Sequence, residues 1–126
     1  MSSPYPPEAE GLTHDPGALR IRELNDAFRA DGFTHPGLGQ VFLTRGLTAL
    51  GDSFVQRAIQ AVRAFESFTP ENDPWGEHDF GSFDLDGETI FWKIDYYAPD
   101  LESGSEDPAD PARTRRVMTV MLAEEY

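Results

Sequence analysis

The chain has 126 residues, no cysteine, and 23 acidic side chains against ten basic ones, a net charge of −13. That length fits one domain, and the missing thiols exclude disulfides, thiolate catalysis, iron–sulfur clusters and cysteine zinc sites. So acidic a balance argues against gripping nucleic acid or anionic lipid through a basic face, and no apolar run reaches the ~18 residues of a membrane span.

Met1 to Pro7 has neither a basic start nor an apolar stretch, so no secretion signal is expected and the cytoplasm is the expected location. Residues 1–14, rich in Pro, Glu and Ser, read as a disordered tail ahead of a single domain over 15–126. Asp15 followed by Pro16 is a helix start, and Ile21, Leu24 and Phe28 repeat at helical spacing up to Gly32, predicting a helix over 16–31. Gln40–Arg45 is a short β-rich run. Asp52-Ser53 opens a second helix over 52–67, with Val55, Ala58, Ile59, Val62 and Phe65 on one face. After a turn-rich stretch at 71–77, Phe80–Leu85 and Glu88–Tyr97 flank Asp86-Gly87, the dipeptide of a two-residue hairpin. Residues 98–112 form an acidic, proline-containing loop. Arg115–Leu122 ends in a nearly unbroken apolar run, expected of a strand buried on both faces. The order helix, strand, helix, hairpin, strand predicts an α+β fold: two helices packed on an antiparallel sheet of about four strands.

The charge is local. Residues 66–110 hold fourteen acids and a single base, Lys93, which is also the only lysine of the chain. The remainder is balanced. This segment is the expected docking surface for a basic protein partner, with Asp73, Glu77, Asp79, Asp84, Asp86, Asp100, Glu102, Glu106 and Asp107 as its contact residues. One form of that reading is a DNA mimic, in which ordered carboxylates imitate phosphates. A solvated acidic surface serving only solubility is the plainer alternative.

A two-residue turn at Asp86-Gly87 fixes the hairpin register. Phe83, Leu85, Ile90, Trp92, Ile94 and Tyr96 then share the core face. The other face pairs Phe80 with Lys93 and His78 with Asp95. A carboxylate opposite an imidazole, with an ammonium beside it, suits general acid–base chemistry, so His78, Asp95 and Lys93 form the candidate catalytic set of a small hydrolase-like enzyme, with or without a divalent metal. A neutralised half-buried patch is the structural alternative, and the non-enzymatic reading leads. Glu71, Asp73, Glu77 and Asp79 crowd a turn, but their spacing is not that of a calcium loop. No phosphate-binding glycine loop is present, and neither a cofactor nor a metal is assigned.

The segments Ile21–Asp26, Leu43–Gly46, Asn72–Gly81, Phe91–Tyr97 and Met121–Tyr126 together resemble the bacterial domain-of-unknown-function family 3768, over roughly residues 20–126. The resemblance brings no activity, cofactor or catalytic residue. It implies a small bacterial protein often encoded near plasmid or other mobile-element genes, and with it a lean towards an accessory or anti-defence role.

Overall fold

The protein is described from a computed structural model covering residues 15–31 and 37–126. The expected tail over 1–14 and the stop at Gly32 lie outside the described residues. Helix α1 runs Pro16–Ala30, with Asp15 accepting from Gly17 N at its start. Strand β1 is Gly39–Leu43. A one-turn helix α2, Arg45–Thr48, follows it and is capped by the Thr44 hydroxyl; the expected strand therefore stops short of Arg45. Helix α3 is Asp52–Arg63, with Gly51 rather than Asp52 at the capping position (φ 97°), a conformation that favours glycine. Strands β2 (Phe80–Leu85), β3 (Glu88–Tyr97) and β4 (Arg115–Leu122) complete the sheet, and a 3₁₀ turn, Ala123–Glu125, follows β4.

The α+β class and the four-stranded sheet are as expected, the strands lying in the order β1-β4-β3-β2, but the described residues form three helices where two were expected, the short α2 being the addition. Strand direction differs as well. The sheet is mixed, because β1 runs parallel to β4 while β4–β3 and β3–β2 are antiparallel. An apolar strand needs neighbours on both edges, but hydrophobic pattern carries no direction, so the parallel pairing was invisible in the residues. Gly39 permits it, since a Cβ there would run into the Arg116 carbonyl.

The hairpin forms in the expected register, from Leu85↔Glu88 to Phe80↔Lys93. Asp86 and Gly87 both have positive φ (51° and 82°), as a type I′ turn requires. Ile90, Trp92 and Ile94 are buried under the helices with Phe28, Leu47, Phe54, Ala58, Val62 and Phe65, and Phe83, Leu85 and Tyr96 border that core. Gly81 lies under the Trp92 indole, which a side chain would strike. Helix α3 ends at Arg63 instead of residue 67, because the buried Arg29 guanidinium of α1 donates to Val62 O and Phe65 O, both at 2.9 Å. Those carbonyls would otherwise continue the helix, and a cation at its carboxyl end also suits the helix dipole.

Candidate functional site

Beside its apolar stripe, α1 carries a polar one. Arg22, Asn25, Asp26 and Arg29 lie three and four residues apart, so they share a face. All four reach inward. Arg22 Nε donates to Gly76 O at 2.6 Å. Asn25, wholly buried, donates through Nδ2 to Glu77 O (2.9 Å) and to the Tyr96 hydroxyl (2.8 Å), while its Oδ1 accepts from Arg116 Nε at 2.7 Å. The Tyr96 hydroxyl in turn donates to Glu77 Oε1, and Arg116 Nη2 donates to Pro108 O. The Arg116 guanidinium lies over the Tyr96 ring, 5.3 Å from its centroid. Burial above all, then the charges of Asp79 and Glu77, holds the Tyr96 phenol well above its usual range. It therefore stays protonated and donating.

These side chains grip the loop over residues 67–79, which is also tied to itself. Thr69 and Asn72 exchange side-chain to backbone hydrogen bonds, and Asn72 Nδ2 donates to Ser67 O. Asp73, only 3% exposed, accepts from His78 N and so clamps the loop from inside. Gly76 and His78 both have positive φ (70° and 57°), which aims the imidazole back towards α1. The His78 ring stacks on Phe68 at 3.7 Å between centroids, with Nδ1 2.9 Å from Asp26 Oδ1 and Nε2 3.6 Å from Asp73 Oδ2. Burial raises the Asp26 carboxyl, but hydrogen bonds and charges from His78 and Arg29 outweigh it and leave the group below its ordinary value.

The expected catalytic set is therefore not assembled. The β2–β3 ladder begins at Phe80↔Lys93, and two residues earlier the chain has already turned away, so His78 does not meet Asp95. Lys93 does: its ammonium lies 2.9 Å from Asp95 Oδ2, on the sheet face away from the helices. Each ring nitrogen of His78 instead faces a carboxylate and one ring face is covered by Phe68, while the imidazole borders an open cleft that Arg29, Arg63 and Glu66 also line. His14 and His35 lie outside the described residues.

The expected contact acids separate into several groups. Asp73 and Glu77 point inward, a correction for both, because the loop uses them to hold itself together. Asp79 is half-buried, and its carboxyl rises to about 6, through burial first and then the neighbouring charges of Glu77, Asp73 and Asp95. Asp86 pairs with Arg57 of α3 at 2.6 Å, and Asp84 accepts from Thr89 across the turn. Asp100 and Asp107 accept from backbone amides two residues on, and Glu106 and Asp107 flank Arg113. Glu102 is exposed. Asp84 and Asp86 thus sit at the turn end of the hairpin and the others towards or beyond its opposite end, Asp79 being five residues of strand, about 17 Å, from Asp84. No ordered row runs between them.

What sequence reading missed is the α1 stripe and an aromatic. The 22/25/26/29 spacing was the available signal, overshadowed by the apolar repeat beside it. Trp75 is 76% exposed at the apex of the clamped loop, with no ring contact among the described residues. Among those residues no group of three or more His, Asp or Glu side chains is placed to hold a metal ion, and no helix is long and apolar enough to cross a membrane. No curated protein and no solved structure matches the chain. The family described as "Protein of unknown function (DUF3768)" matches residues 43–125, about two thirds of the sequence, a span that takes in β1's last residue, the clamped loop and all of β2 to β4. The chain belongs to that family.

Proposed function

We propose that the protein is a non-enzymatic interaction module of the cytoplasm that captures a basic polypeptide segment on the loop around Trp75. The observation that carries this reading is Trp75 itself, an indole 76% exposed on a loop whose backbone is held by Arg22, Asn25 and Asp73. Exposed tryptophan on a rigid support is the residue type that anchors interfaces, and preorganisation spares the ordering entropy of binding. The partner's chemistry follows from the setting. Trp75 stands in a segment with fourteen acids and one lysine, and Glu71 on the same loop is exposed. An arginine or lysine side chain would lie against the indole face while its neighbours meet carboxylates. A polypeptide is favoured over the DNA-mimic reading, because a mimic needs a dense ordered row of charge.

The test is titration of the full chain with an Arg/Lys-rich decapeptide at about 50 mM and about 500 mM salt, beside an acidic peptide of equal length. Binding of the basic peptide that weakens at least tenfold on adding salt, and is lost in Trp75→Ala, is the expected result. Equal binding by Trp75→Ala, or binding of both peptides alike, would overturn the proposal.

A further inference from the structure

Among the described residues strand β1 pairs with β4 alone, so none of them covers its other side. Arg116 N donates to Leu38 O, and Thr44 N donates to Val120 O. By the alternation of a parallel ladder, residues 38, 40, 42 and 44 direct their backbone groups to β4, while Gly39, Val41 and Leu43 direct theirs outward. Those outward groups have no backbone partner among the described residues. Edge strands are normally blunted by charge, proline or a bulge. Gly-Gln-Val-Phe-Leu has none of these. The opposite edge does: β2 contains Asp84, and the turn after it is tied to α3 through Asp86 and Arg57. On the face away from the helices, Phe42 is 53% exposed and lines a shallow cleft with Gln40, Tyr97, Leu101 and Val117.

We propose that β1 pairs antiparallel with β1 of a second copy, about a two-fold axis through Val41, joining two four-stranded sheets into one of eight strands. The strand is self-complementary in this register. Val41 lies opposite itself, Gly39 opposite Leu43, and Gln40 opposite Phe42. The three outward-facing residues all fall at hydrogen-bonded positions, giving about six inter-chain N–H···O=C bonds. Gly39 leaves room for the facing Leu43, and the two Phe42 rings become diagonal neighbours within aromatic reach. Charge also favours a second copy at this edge. Strand β1 has no ionised side chain, and the acidic hairpin turn belongs to the far edge. Each copy nonetheless carries a net charge of −13, so two copies repel each other at long range. Added salt therefore tightens this association, opposite to its effect on a basic partner.

Sedimentation velocity on the full chain from about 5 to about 500 µM, at low and high salt, reads the equilibrium directly. A monomer–dimer equilibrium that tightens with salt is expected. Phe42→Lys sets two cations against each other, and Val41→Pro removes an N–H that β4 does not use; each weakens the dimer at least about tenfold with the far-UV spectrum unchanged. Should Val41→Pro fail to fold, Phe42→Lys and a cysteine pair decide. Val41→Cys, the only thiol in its chain, forms a disulfide dimer on mild oxidation because self-paired Cα atoms lie about 5.5 Å apart. Gln40→Cys does not, its two copies lying beyond about 7 Å. A monomer at every concentration, a dimer indifferent to Phe42→Lys, or cross-linking through Gln40→Cys in preference to Val41→Cys would overturn the proposal.

Discussion

Asn25 is a neutral side chain that satisfies an arginine, a tyrosine and a backbone carbonyl at once, in a place from which water is excluded. Its removal leaves a buried guanidinium with one partner fewer and a carbonyl with none from α1. Asn25→Ala is expected to cost about 3 kcal/mol, read as a lower urea midpoint at unchanged slope. Asp79 works in the opposite sense. Its carboxyl rises to about 6 in the folded chain, from the ordinary 3.8, because burial and three carboxylate neighbours disfavour its charge. A raised acid is penalised where it is ionised in the folded state, above about pH 6, and the penalty disappears as pH falls towards its unfolded value. Stability should thus gain from this group between pH 7 and pH 5. Asp79→Asn should remove that gain while raising stability at pH 7 by about 1–2 kcal/mol, allowing for screening at a half-buried site. Urea unfolding at both pH values, on both chains, measures it.

At the scale of elements, Arg29 joins α1 to α3. Its guanidinium, 5% exposed, donates to two carbonyls at the end of α3 and to Asp26, and it lies over the Phe68 and Trp92 rings. Lysine keeps the charge but not the planar fork. Arg29→Lys should therefore lose about 2 kcal/mol, visible as a lower urea midpoint, and fray the last turn of α3, visible as faster amide exchange at residues 62–65. This helix end also marks where sequence reading stopped being sufficient. Starts, faces and the hairpin register were legible, because Asp15-Pro16, the Ile21/Leu24/Phe28 repeat and Asp86-Gly87 each act through neighbours in the chain. The end of α3 was not, since a residue 33 positions earlier decides it. The same holds for the site. The alternation that placed Phe80 opposite Lys93 was right as far as the strand extends, but His78 leaves it through a left-handed backbone angle imposed by the clamped loop. Long-range polar contacts carry no periodicity, and the α1 stripe is made of them.

For the whole molecule, net charge describes the surface poorly. The excess of residues 66–110 is spent partly inside, on Asp73 and Glu77, and partly against Arg57 and Arg113. What remains outside includes Glu71 on the loop that carries Trp75, so salt should separate two associations: capture of a basic segment at Trp75 weakens with it, whereas pairing through β1 strengthens.

The order of the sheet has a consequence for how the chain can be made. Strand β4 sits between β1 and β3, and it is the last strand along these residues. Until it emerges during synthesis, β1 and the hairpin have nothing to join them, and a parallel pair reaching back more than seventy residues closes late. The nascent chain therefore cannot complete its sheet, and Trp92 cannot gain its neighbour Val120, until nearly the final residues shown. A chain ending at residue 114 should show no cooperative unfolding transition, whereas the full chain should show one. Thermal melts of the two would make the comparison, and a cooperative melt for the first would refute late closure.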